Sequence, residues 1–351
     1  MKAITVIPGT LATVQLDERP EPATDRRTLL VQALALGICG TDREIVSGAY
    51  GWPPPGSRRL VLGHESLGRV LEAPEGSGFI EGDLVVGIVR RKDPVPCIAC
   101  AAGEWDMCRN GQYTERGIKS LDGYGAERYR LEPDYAVKVE PALGMLGVLL
   151  EPATILAKAW DHIDRIGQRT QSWSPRCVLV TGAGPVGLMA ALMGRQRGHE
   201  VHVLDRADAG PKLELVHGLG GTYHAHALPD ALRPDITLEC TGAVPLIVDV
   251  LKRAAVDGIV CLTGVSSPGP PLPFDFGAFN RDAVLGNVVA FGSVNANKTH
   301  YRRAAEALAK ADRCWLAKMI TRRVPLARWR EAFENRPDDI KVVLQFAESP
   351  A

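Results

Sequence analysis

The chain has 351 residues, enough for two domains with well-buried cores. Lys+Arg and Asp+Glu balance at 41 each, with 46% hydrophobic and 23% charged residues, so nothing in the composition favours nucleic acid or an anionic membrane as partner. No apolar run approaches the ~20 residues needed to span a bilayer, and the N-terminus lacks a signal-peptide core, so a cytoplasmic protein is expected.

In chain order, MKAITVIPGTLATVQLDERPEP alternates like a strand. TLLVQALALGICG, RLVLGHESLGRVLEA and GDLVVGIV are short apolar runs broken by Gly and Pro, and they predict an irregular β-rich region over roughly the first 150 residues. The pairs Arg26–Arg27, Arg58–Arg59 and Arg90–Arg91 read as solvated surface. From Cys177 the pattern becomes strand, Gly-rich turn, helix, strand, which implies a doubly wound parallel sheet. DITLECTG and GIVCLTGV are two further strands, each ending in Thr-Gly. Residues 299–312 read as a helix, and DIKVVLQF returns to strand and to the first domain.

VLVTGAGPVG carries Gly182, Gly184 and Gly187 in G-x-G-x-x-G spacing, after a strand and at the start of a helix. Gly182 suits a tight turn, Gly184 lets backbone approach a pyrophosphate, and Gly187 lets helix and strand pack. With Pro185 and Val186 they form a dinucleotide-binding turn at a helix N-terminus. Asp205 lies 18 residues beyond Gly187 and is expected to accept hydrogen bonds from the adenosine ribose, favouring NAD. Arg206 beside it suits a 2′-phosphate, so some NADP use is expected too. Thr241 and Thr263, in the two Thr-Gly turns, are assigned to the cofactor.

Cys39 in LGICGTD, His64 in VLGHES and Glu151 in LLEPATI each end an apolar segment. Glu151 precedes Pro152 and is expected to cap a helix. Each has a bland reading alone: a core thiol, a satisfied histidine, a plain cap. Together, in a chain with a dinucleotide site, they offer the ligand types of a catalytic zinc.

The segments GICGTD, GHE, YTERGI, LLEPATI, GAGPVG and GSVNANK, with the cysteine lobe, resemble the medium-chain zinc-dependent alcohol/polyol dehydrogenases, closest to the glucose 1-dehydrogenase branch. The resemblance implies a GroES-like catalytic domain over 1–152 and 299–351, with a lobe at about 93–110, and a Rossmann domain over 153–298. It implies that Cys39, His64, Glu65 and Glu151 surround zinc, that Thr41 and Glu115 face substrate, and that Asn295 lies near substrate and nicotinamide. Thr41 then serves as proton acceptor and relay. One thiolate and one carboxylate neutralise Zn²⁺, so Glu65 and Glu151 are expected to alternate, or one to bind through water.

The reaction implied is oxidation of an aldose, D-glucose first, at C1 to the lactone, with NAD or NADP, by a homo-oligomer (tetramer or dimer). Another polyol, sugar or alcohol is the alternative, and an inactive or zinc-free relative a third. In the family the lobe has four cysteines spaced C-x2-C-x2-C-x7-C. Cys97, Cys100 and Cys108 match the last three places, and the first falls on Pro94. Its neighbour Asp93 is therefore expected to be the fourth ligand of a structural zinc, with empty reduced cysteines as the alternative.

Overall fold

The structure is a computed structural model that describes residues 1–267 and 269–346. The chain divides into two compact units, Met1–Thr154 with Asn295–Ala351, and Ile155–Val294.

In the first unit the main sheet has seven strands. Its longest, Leu29–Ile38, is an apolar run buried along almost its whole length. Apolar residues on both faces suit a strand covered on both sides. It pairs antiparallel with Glu65–Glu72 on one side and Lys341–Gln345 on the other. Gly37 lies opposite Glu65, and Val342 opposite Ile38. The register therefore gathers three segments distant in sequence at one end of this strand. Around it, Leu36, Leu62, Val85, Tyr124, Leu131, Val324 and Leu344 are among the residues of a continuous core. The N-terminal alternation resolves into two strands, Lys2–Val6 and Gln15–Glu18, paired antiparallel.

The second unit is a six-stranded parallel sheet. Its order across the sheet is Thr222–Ala225, Glu200–Asp205, Cys177–Thr181, Ile236–Glu239, Ile259–Leu262, Val289–Gly292. Numbered along the chain this is 3-2-1-4-5-6, which reverses direction between Cys177–Thr181 and Ile236–Glu239. Ligands bind such sheets beyond the carboxyl ends of the strands at that reversal.

Three local expectations differ from the structure. The helix expected over 299–312 runs Lys298–Ala309, and a second helix follows at Arg313–Met319. Glu151 does not cap its helix. A 3-10 run, Pro141–Leu149, leads directly into the helix Leu150–Gly167, which places Glu151 in the first turn. Joined, these two runs make one stretch, Pro141–Gly167, long and apolar enough to cross a membrane, which the sequence reading had not found. Of its most apolar window 78% is buried, as in the core helix of a globular protein.

Candidate active site

Cys39 follows Leu29–Ile38 and N-caps the helix Gly40–Val46. Its own N–H donates to Asp42 Oδ2 at 3.0 Å, which fixes the thiol at the helix start. His64 precedes Glu65–Glu72. His64 Nε2 lies 3.0 Å from Cys39 Sγ, and Nδ1 lies 3.4 Å from Asp42 Oδ1. A carboxylate on the far nitrogen fixes which ring nitrogen faces the thiol, as around protein-bound zinc. Burial alone lowers the His64 pKa, but the charges of Cys39 and Asp42 outweigh it and hold it well above the ordinary value.

Donor atoms of Cys39, His64 and Glu65 all lie within 4.8 Å of one another. A thiol, an imidazole and a carboxylate so close together fit zinc. Glu65 is not free, however. Lys341 Nζ, only 1% exposed, donates to Glu65 Oε1 at 2.7 Å and Oε2 at 2.6 Å. A Cβ at Gly37 would collide with the Glu65 carboxylate, so glycine at that position makes room for the pair. Glu151 is 8% exposed, and burial together with the Glu65 charge raises its pKa to about 7. Thr41 sits half-buried in the first turn of the helix that Cys39 caps.

Glu115 lies on the short strand Thr114–Arg116 and is 6% exposed. Its Oε1 accepts from Arg90 Nε at 3.0 Å and from Asn295 Nδ2 at 2.7 Å. Asn295 holds a left-handed backbone, φ 62°. Arg90 and Arg91, expected at the surface, are 6% and 7% exposed. The cross-strand carboxylate of Glu115, the Glu132 carboxylate and two tyrosine faces take up their charge, which a sequence reading of paired arginines does not see.

In the lobe the sulfurs of Cys97, Cys100 and Cys108 lie within 4.8 Å of one another. The Arg109 N–H donates to Cys97 Sγ at 3.3 Å and holds that thiol down at about 6, whereas burial pushes Cys100 up to about 11. Asp93 is 2% exposed, with Oδ2 3.9 Å from Cys108 Sγ and Oδ1 accepting from Val95 N–H at 2.8 Å.

In the second unit, Gly182 turns at φ 87°, and Gly184 N-caps the helix Pro185–Gln196 with open space around its missing side chain. Val186 lies in the first turn of that helix, and Gly187 packs so closely on Gly182 that a Cβ there would overlap the Gly182 carbonyl. Such a turn leaves helix N–H groups and a small concavity for a phosphate. Asp205 ends the strand Glu200–Asp205. Its carboxylate accepts from the N–H groups of Ala183 at 2.7 Å, Arg206 at 2.8 Å and Ala207 at 3.2 Å, and lies 3.3 Å from Lys212 Nζ. Burial opposes its ionisation, but the Ala183 N–H and the Lys212 charge hold its pKa below the ordinary value. The Arg206 side chain lies exposed beside it. Thr241 and Thr263 both bond to Glu239: the Thr241 N–H donates to its Oε1 at 2.8 Å, and Thr263 Oγ1 to its carbonyl at 2.8 Å. Sequence reasoning missed Asp42, Lys341 and Glu239. Only Glu239 had a local signal, its place in LECTG before a Thr-Gly turn.

The family described as glucose dehydrogenase C-terminus matches residues 144–346, and that described as alcohol dehydrogenase GroES-like domain matches residues 25–141. The chain belongs to the glucose dehydrogenase family. Within that family it is 40% identical over 353 residues to a glucose 1-dehydrogenase of Thermoproteus tenax, covering 98% of this chain and 99% of the relative. It is 38% identical over 355 residues to glucose 1-dehydrogenase 2 of Vulcanisaeta moutnovskia, covering 99% and 100%. The solved glucose dehydrogenase of Haloferax mediterranei, in complex with NADP, Zn and gluconolactone, superposes with a TM-score of 0.92 at 31% identity, covering 99% of this chain and all of that one. The first unit thus contains a GroES-like domain, and the second is a Rossmann-like parallel sheet.

Proposed function

We propose that this glucose dehydrogenase family member is a zinc- and NAD(P)-dependent dehydrogenase that oxidises an aldose, D-glucose first, at C1 to the lactone. The observation that carries this reading is the convergence of Cys39, His64 and Glu65 donor atoms at the end of one buried strand. Relatives named glucose 1-dehydrogenase, matched over nearly their whole length, support the substrate.

When bound, zinc supplies Lewis acidity at the sugar oxygen and NAD(P) supplies the hydride acceptor. Cys39 and His64 hold the metal, and Asp42 orients His64 from behind. Glu151 makes no ion pair among the described residues, and Glu65 is held back by Lys341. Thr41 takes the hydroxyl proton and passes it outward. Glu115 and Asn295 contact sugar hydroxyls, and such contacts discriminate strongly against molecules lacking them. Gly182, Gly184, Pro185, Val186, Gly187, Asp205, Arg206, Thr241 and Thr263 bind the cofactor.

The three lobe thiols take a structural zinc with Asp93, which requires a small approach of its Oδ2. The protein works in the cytoplasm as a homo-oligomer. Val289–Gly292 is a sheet edge, and exposed Val284 and Leu285 flank it, which supports pairing of copies there. Initial rates over aldoses, polyols and simple alcohols, with either cofactor, before and after dialysis against a strong chelator, test the reading. Turnover of simple alcohols alone, or a rate indifferent to chelation, overturns it.

A further inference from the structure

Arg90 lies directly opposite Glu115 across two short antiparallel strands. Its Nε and Nη2 both lie 3.0 Å from the same oxygen, Glu115 Oε1. Its Nη1 donates to the Asp106 carbonyl at 3.1 Å. The guanidinium plane is stacked on Tyr113, 3.7 Å from the ring centroid, and Lys119 Nζ lies 4.1 Å from that centroid. Arg90 is therefore fixed from its edge and from its face, and both partners of the pair are buried. Asn295 Nδ2 brings a second hydrogen bond to Oε1. Oε2 has no hydrogen-bond partner among the described residues.

This asymmetry has a chemical meaning. A carboxylate free to rotate presents either oxygen, and ordering it on binding costs entropy. Here one oxygen accepts two hydrogen bonds and lies in an ion pair with Arg90, and the other is a preoriented acceptor of charge-assisted hydrogen bonds. We propose that Arg90 is a positioning residue for the substrate: by holding Glu115 Oε1 it aims Oε2 at a hydroxyl of the sugar other than the one oxidised. The inference rests on the aldose reading above. The planar guanidinium is essential to it, because a lysine ammonium carries the same charge without an Nε–H donor held in place against the Tyr113 ring.

The experiment compares wild type with Arg90→Gln, Arg90→Lys and the milder Tyr113→Leu, each assayed well below its melting temperature. For Arg90→Gln the KM for glucose is expected to rise about tenfold or more while kcat falls far less, as for loss of a binding contact. Arg90→Lys is expected to restore little of that loss, and Tyr113→Leu to give an intermediate KM. A purely structural role lowers the melting temperature in all three without splitting KM from kcat. An unchanged glucose KM in Arg90→Gln, or full rescue by lysine, overturns the proposal. Should wild type turn over no aldose, the aldose reading falls on its own. The crystal structure of Arg90→Gln then decides the positioning: a Glu115 that keeps Oε1 on Asn295 overturns it, and a swung carboxylate upholds it.

Discussion

Lys341 donates to both oxygens of Glu65, and both residues are buried. The carboxylate next in sequence to His64 is thus paired with a lysine 276 residues further on. This changes the charge balance of the site. In the zinc site proposed above, Cys39 and Glu151 would then balance the metal, with Glu65 and Lys341 cancelling each other.

Lys341→Met is expected to leave Glu65 buried without a counter-charge. Breaking such a pair costs about 3–5 kcal/mol. At the lower figure this is a fall of about 6–12 °C in the melting temperature of the zinc-depleted protein. Zinc then offers Glu65 a new partner, so titration of zinc into the depleted variant is expected to raise its melting temperature more than that of wild type. An equal zinc-induced rise in the two proteins means that Lys341 does not hold Glu65 away from the metal.

Asp205 braces the glycine turn through the Ala183 N–H, in addition to the cofactor contact proposed for it. Asp205→Asn keeps an acceptor oxygen and removes the charge. The NADP-to-NAD ratio of kcat/KM is expected to rise about tenfold or more, the equivalent of one charged hydrogen bond. The sign of the pH effect follows from the lowered pKa. The stability that Asp205 contributes is present above the ordinary value of 3.8 and is lost as pH falls through the lower folded value. The stability gap between wild type and Asp205→Asn is therefore expected to close below that pH. A gap that persists in acid, or an unmoved cofactor ratio, counts against this role.

How much of this was legible in the sequence depends on how local each signal is. The strand, turn and helix around GAGPVG are written in consecutive residues, and so are legible in the sequence itself. Cys39, His64 and Glu65 stand at strand ends that apolar runs mark. Lys341 and Asp42 carry no such mark. Lysine in a strand near the end of the sequence reads as surface, and only the sheet register, with Gly37 opposite Glu65 and Val342 opposite Ile38, brings it in. Arg90 was misread for a related reason. A pair of arginines reads as solvent-exposed charge until the opposite strand is known to carry Glu115.

Gly184 and Gly187 separate packing from cofactor binding. A Cβ at Gly187 overlaps the Gly182 carbonyl, a strain of about 1–3 kcal/mol, so Gly187→Ala is expected to lower both stability and NAD(P) affinity. A Cβ at Gly184 meets nothing in the protein. Gly184→Ala is expected to keep the melting temperature and to weaken NAD(P) binding in calorimetry. Undiminished affinity in Gly184→Ala places the pyrophosphate elsewhere.

For the lobe, metal analysis of wild type and Asp93→Ala is expected to give about two and about one zinc per chain, with a lower melting temperature and retained kcat. The same metal content in both proteins removes Asp93 from the ligand set and leaves Cys97, Cys100 and Cys108 to be explained without it.

The placement of Lys341 also sets an order of events during synthesis. Cys39, His64 and Glu65 emerge early, whereas their balancing cation is translated only after the whole of Ile155–Val294. Until then the nascent Glu65 has no Lys341 to pair with, and an early metal ion meets a more negative, less selective set of donors. The charge balance around Glu65 is thus set only once the first unit has been closed by a strand from beyond the second.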